Sequence, residues 1–164
     1  MSIEHSTGKI LYTEQDDLFV LKLTGDVRLT LCTALDTAIS KLFAENKFKG
    51  VTLDLMDAVS LDSTTLGLLA KLSILAKQSI NVLPTLETSN EDIIRLLDSM
   101  GIKDSFDITE GKQEQWLDLK DLTSDVCSEA FVKEKVLEAH KILMDVNDNN
   151  KAAFKDLVST LEAQ

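Results

Sequence analysis

The chain has 164 residues, 44% of them hydrophobic and 27% charged, enough for one domain of ordinary size with an appendage and a sizeable buried core. Its formal net charge of −11 lacks the basic footprint of a nucleic-acid or anionic-membrane binder, and solubility is the plain role of the excess acid. No stretch approaches the ~20 apolar residues of a membrane span, and the opening MSIEHSTGKI shows neither a basic nor an apolar signal region, so a cytoplasmic protein is expected.

KILYTEQDDLFVLKLTG reads as two strands around a polar turn at Gln15–Asp17. Phe19, Leu21 and Leu23 alternate with Val20, Lys22 and Thr24, the pattern of a half-buried strand, and Gly25 is expected to end it. In LTLCTALDTAISKLFAENK, Leu31, Leu35, Ala38, Ile39 and Leu42 recur at helical spacing. VTLDL, after Gly50, is a short apolar and β-branched strand. A second helix spans roughly 63–78. INVLPTL predicts a strand whose end is marked by Pro84, the only proline. Ser89 and Asp92 resemble a capping box for a helix carrying Ile93, Ile94, Leu97 and Met100, stopped by Gly101. SFDIT is a candidate last strand.

Strands alternating with helices imply parallel pairs joined by crossovers, with one antiparallel hairpin at the start. The expected fold is α/β: a mixed sheet of about four or five strands with helices packed on it over residues 1–110. Residues 111–164 change character. WLDLKDLTSD reads as a linker or short helix. Val136, Leu137, His140, Leu143 and Met144 are helically spaced, NDNN is a break, and Phe154, Leu157, Val158 and Leu161 resume the helical period. This C-terminal extension is expected to form a helical hairpin or one kinked helix.

The two cysteines, Cys32 and Cys127, are far apart and read as buried free thiols in a reducing compartment rather than a disulfide. With two histidines, His5 and His140, and no Cys/His cluster, neither a zinc site nor a cofactor is expected. Catalysis is poorly supported too. The six glycines are scattered rather than gathered in a phosphate loop, and no histidine stands at a recognisable spacing from a candidate nucleophile.

The chemistry concentrates where the strand-to-helix joint VSLDSTTLG places Asp62, Ser63, Thr64 and Thr65 in a row. At ~100° per residue, Thr65, Leu68, Leu69, Leu72, Leu75 and Ala76 form the stripe facing the sheet. The opposite stripe holds Ser63, Leu66, Gly67, Ala70, Ile74 and Lys77. It is small and apolar where a water-facing stripe should be polar. Two readings stand: it is a docking surface, or the C-terminal helices cover it. Ser63 heads this stripe, where it either caps the helix together with Asp62 or accepts a phosphoryl group; the two roles are compatible. A helix N-terminus tolerates an anion, whereas a dianion at the rim of an apolar contact opposes any partner that buries it.

VTLDLMDAVSLDSTTLGLLAKL resembles the signature of STAS domains of the bacterial anti-sigma factor antagonist type: an apolar strand ending in Asp54, the dipeptide Asp62–Ser63, Leu66–Gly67 and a Leu-rich helix. LTGDV, at Leu23–Val27, resembles the family's Leu-x-Gly-acid element. Thr65 stands where the family has glycine. The resemblance implies a STAS-like sheet and a partner-switching role, in a substrate and binding module rather than an enzyme. The unphosphorylated chain would bind an anti-sigma factor or serine kinase. Phosphorylation at Ser63, or less favourably at Thr64, would release that partner, and a serine phosphatase would reverse the change. The implied partner-binding residues are Asp62, Ser63, Leu66, Gly67, Ala70 and Ile74. The extension could serve self-association into a homo-oligomer. The alternative is a STAS accessory subunit of a transport or stress-signalling assembly that is not phosphorylated.

Overall fold

Asp16 and Asp17 both adopt positive φ, 51° and 63°, as a two-residue hairpin turn requires. They join strand β1 (Lys9–Gln15) to strand β2 (Leu18–Val27) in antiparallel register, with Gln15 opposite Leu18. The structure, a computed structural model, describes residues 7–45, 47–111, 116–122 and 128–164; His5 and Cys127 lie outside them.

β2 is the spine of the sheet. Its first half, Leu18 to Lys22, pairs in parallel with β3 (Gly50–Asp54), and its last residues, Gly25 to Val27, pair in parallel with β4 (Ala58–Leu61). The fork falls at a bulge between Gly25 and Asp26. Gly25 takes φ 69° there, a conformation cheap only for glycine, and its N–H donates to the Asp57 carbonyl at 2.9 Å. Gly25 thus bends β2 rather than ending it, and the strand runs two residues further than its sequence suggests.

Each parallel step carries a helix, as crossovers require. Helix α1 (Cys32–Glu45) joins β2 to β3. Helix α2 (Ser63–Ile80) joins β4 to β5 (Thr85–Glu87), and α3 (Glu91–Ser99) joins β5 to β6 (Asp107–Thr109). The sheet order is β6-β5-β3-β2-β1-β7, with β4 paired off this path to β2. Phe19, Leu21 and Leu23 of β2, Val51 and Leu53 of β3 and Leu86 of β5 meet Leu35, Ile39, Leu68, Leu69 and Leu72 in one core.

Three local expectations change. Asn81 caps α2 in the left-handed region (φ 54°), so the helix consumes the start of INVLPTL and β5 follows Pro84 instead of ending there. The Pro84 carbonyl still accepts the Asp107 N–H at 2.9 Å. Asn90, not Ser89, caps α3, its side chain accepting from the Asp92 N–H. WLDLKDL supplies β7 (Lys120–Asp121), which pairs antiparallel with β1. Among the described residues the sheet therefore has seven strands, more than expected, because β4 and β7 are too short to show a period.

The C-terminal extension is a hairpin of two helices, α4 (Glu129–Val146) and α5 (Asp148–Glu162), separated at Asn147, whose side chain caps α5. It packs against α2 and α1. Buried Asn150 ties it down by donating to the carbonyls of Met100 at 2.7 Å and Leu143 at 2.9 Å.

Leu53 is fully buried at the centre of the sheet. Leu53→Ala is expected to cost about 2–5 kcal/mol, read as a lower urea midpoint at unchanged denaturant slope.

Candidate functional site

The site begins with a fixed backbone. The Asp62 N–H donates to the Val27 carbonyl at 3.2 Å, which docks the start of α2 at the end of β2. The Asp62 carboxylate is the N-cap: Oδ1 accepts from the Thr65 N–H at 2.8 Å, and Oδ2 accepts from the Leu29 N–H at 2.7 Å. One side chain thus satisfies a free donor of α2 and clamps the short turn Leu29–Leu31 that precedes α1. Thr64 and Thr65 are buried, and Thr65 takes the interior side, its hydroxyl directed at the Val27 carbonyl.

Ser63 opens α2 as its first residue and is half-buried. Its Oγ lies 2.8 Å from Nε2 of His140, on α4. Nδ1 of the same ring lies 2.7 Å from the Val136 carbonyl oxygen. A carbonyl only accepts, so Nδ1 carries a proton; in the neutral ring Nε2 is then the acceptor and the Ser63 hydroxyl donates to it. His140 is 2% exposed, with the edge of Phe154 from α5 against its ring at 4.9 Å between centroids. No histidine was expected beside Ser63; the one found is 77 positions away in the chain. The pair has the first two members of a hydrolytic triad, but a neutral carbonyl occupies the place of the carboxylate that stabilises the imidazolium.

One turn on, α2 and α4 touch backbone to side. A Cβ placed on Gly67 would run into the carbonyl and Cβ of Ala139. Glycine here sets the distance between the helices. A further turn on, charges close the contact. Lys71 of α2 bonds Asp36 of α1 at 2.8 Å and also Glu138 of α4; Lys135 of α4 bonds Asp36 at 2.9 Å and Glu138 at 3.4 Å. Burial pushes the Asp36 carboxyl up, but hydrogen bonds and charge from Lys71 and Lys135 outweigh it and hold the group below its ordinary value. Burial likewise depresses both lysines, and their carboxylate partners reverse the effect, raising them.

This geometry decides between the two readings of the second stripe. Leu66 (1% exposed), Gly67 and Ala70 (2%) lie buried, with Gly67 set against Ala139 of α4. They are not a bare surface, because the C-terminal hairpin fills the face they form. Of the residues expected to bind a partner, Ile74 is open to solvent (46%), and Asp62 and Ser63 are partly so. Leu29 and Val59 are exposed on the segments beside Asp62, and their spacing gave no signal.

Asp54, at the end of β3, belongs to a separate polar cluster. Its carboxylate accepts from the Met56 N–H at 2.9 Å, Lys22 Nζ at 3.0 Å and Trp116 Nε1 at 2.8 Å. These bonds fix the turn from β3 into β4. Among the described residues, no group of three His, Cys, Asp or Glu side chains is placed to hold a metal, and no helix is long and apolar enough to cross a membrane.

Residues 9–115 match the STAS domain family. The chain is a STAS protein. The hairpin of α4 and α5 lies outside the matched segment. An anti-sigma factor antagonist from Mycobacterium paratuberculosis shares the fold, with a TM-score of 0.57 at 18% identity over 68% of this chain and 92% of that one. So does the Bacillus cell fate determinant SpoIIAA. Its phosphorylated form gives 0.53 at 11% identity over 65% and 93% of the two chains, and its unphosphorylated form 0.53 at 12% over 65% and 91%. No curated protein matches.

Two outcomes follow for this STAS protein. Gly67→Ala should lose about 1–3 kcal/mol in urea titration, because the clash is with backbone. The Asp36 carboxyl titrates below its ordinary 3.8, so its stabilising contribution is intact above that value and is lost as pH falls through the lowered folded value. Asp36→Asn should therefore flatten the loss of stability on acidification below about pH 5. Equal pH slopes in the two proteins would contradict the ion cluster.

Proposed function

We propose that this STAS protein is an anti-sigma factor antagonist that works by partner switching. The unphosphorylated chain engages an anti-sigma factor or serine kinase at the start of α2, where Asp62 and Ser63 are partly open to solvent, phosphorylation of Ser63 releases that partner, and a serine phosphatase restores binding. The observation that carries the proposal is the place of Ser63. It is the first residue of α2, directly after the cap Asp62, at the position the family signature gives its acceptor, and it borders the apolar residues Leu66 and Ala70. Free N–H groups at that helix end accommodate an anion locally. A partner seated there would have to bury the dianion, which costs several kcal/mol without a matching cation. The shared fold of anti-sigma factor antagonists supports this reading.

A second reading is favoured by one observation. The hairpin already covers Leu66, Gly67 and Ala70, and the Ser63 hydroxyl is already bonded to His140. A STAS accessory subunit that is not phosphorylated would bind through what remains open. Self-association through the C-terminal helices would use Phe131, Val146 and Leu157, which are exposed.

The test is phosphopeptide mapping of the chain from its own cells, joined to partner capture with Ser63→Ala and Ser63→Asp. The expected results are phosphate on Ser63, partner retained by Ser63→Ala, and at least a tenfold loss of affinity in Ser63→Asp, equivalent to about 1.4 kcal/mol. An unmodified Ser63, or equal capture by both variants, favours the accessory-subunit reading.

A further inference from the structure

The contact between the hairpin and α2 is built differently from the core beneath it. Sheet and helices meet through leucine, isoleucine and valine. The hairpin meets the domain partly through polar pairs that cross the contact. Ser63 donates to His140, Asn150 donates to the Met100 carbonyl, and Asp36 and Glu138 hold Lys71 and Lys135. Such a contact is conditional, because a pair broken while the hairpin stays docked leaves a buried polar group without a partner, which costs more than the made hydrogen bond returned.

Ser63 is the point where the condition can be changed from outside. Esterifying its hydroxyl removes the proton that Nε2 of His140 accepts. A phosphate oxygen would then face Nε2 of a ring whose Nδ1 proton is committed to the Val136 carbonyl. A phosphoryl group cannot lie between Oγ and Nε2, 2.8 Å apart, without moving α4, whose backbone one turn further already presses on Gly67. Both oxygens of the neighbouring carboxylate, Asp62, are taken by backbone N–H groups, so it adds only like charge. The cations of the contact, Lys71 and Lys135, are held by Asp36 and Glu138, and Lys71 stands about 12 Å further along α2 at 1.5 Å per residue.

We propose that the α2 face is a helix-binding groove whose resident occupant is the chain's own α4–α5 hairpin, and that a phosphoryl group on Ser63 expels that occupant. The proposal rests on the same acceptor site as the proposed function and adds the intramolecular ligand. A partner that replaces the hairpin must present a helix with a small residue at the Gly67 crossing and a carboxylate in reach of Lys71, the chemistry that Ala139 and Glu138 show. Phosphorylation then acts on hairpin and partner alike, since both are helices laid over one serine.

Hydrogen exchange on the full chain tests this without any partner. Phosphoserine is installed at position 63 during synthesis and compared with the unmodified chain, Ser63→Ala and Ser63→Asp; Ala139→Glu, which clashes at Gly67, serves as the displaced reference. Phosphoserine and Ser63→Asp are expected to speed exchange in α4 and α5 at least tenfold, towards the rate of Ala139→Glu. β2 and β3 should stay protected, and Ser63→Ala, which leaves Nε2 of His140 unpartnered without adding charge, should speed α4 exchange clearly less than phosphoserine does. Equal α4 exchange in the phosphoserine and alanine proteins overturns the proposal. So does slower exchange, the sign of an imidazolium–phosphate pair, or loss of protection in sheet and hairpin together. Because the phosphate is placed chemically, failure here leaves the proposed function standing, whereas an unmodified Ser63 in cells defeats that function and not this coupling.

Discussion

The close crossing of α2 and α4 at Gly67 is the constraint on which the rest of the molecule is arranged. Only a residue without a side chain lets the two backbones come this near. That distance is what brings His140 within hydrogen-bonding range of Ser63 at one end of the contact and Glu138 within range of Lys71 further along. A wider crossing would separate both pairs at once. The STAS sheet supplies the platform: the fork of β2 into β3 and β4 ends at Val27, whose carbonyl holds Asp62, and Asp62 fixes where α2 begins.

Apolar burial and polar matching divide the work. Leu66, Ala70, Ala139 and Leu143 remove apolar surface from water, a contribution that is large but indifferent to register. Asp36, Lys71, Lys135 and Glu138 add little to net stability, since charges drawn partly out of water repay their desolvation only when well paired. They do select one way of laying the hairpin down, because sliding α4 parts Glu138 from Lys71 and Lys135 from Asp36. The result is a STAS domain in which the α2 face beside Ser63 is occupied by the chain's own C-terminal hairpin.

Much of this was legible in the sequence where a period could repeat. The alternation of Phe19, Leu21 and Leu23, the helical stripes of α1 and α2, and the break at NDNN each reappear as the expected element. The four residues of β4 and the two of β7 escaped notice because so short a run carries no period, and both are held by pairing with strands distant in the chain. Tertiary context also overrode local signals at Gly25, which bulges a strand instead of closing it. The STAS signature pointed to Asp62 and Ser63, while the partner of Ser63 did not show at all. His140 is 77 residues away, and contact over that separation depends on how two helices pack. A hint was present: the small, apolar outer stripe of α2 and the run Val136, Ala139, His140, Leu143 on α4 are complementary faces, each without a partner in its own segment.

Whether His140 of the docked hairpin holds the Ser63 hydroxyl can be read from the nitrogen resonances of that imidazole in the full chain at neutral pH. A proton fixed on Nδ1 and a hydrogen-bonded Nε2 are expected, an arrangement that Ser63→Ala disturbs at Nε2 while Nδ1 keeps its bond to Val136. Rapid averaging between the two tautomers, as in an imidazole open to water, or a proton fixed on Nε2, would contradict it.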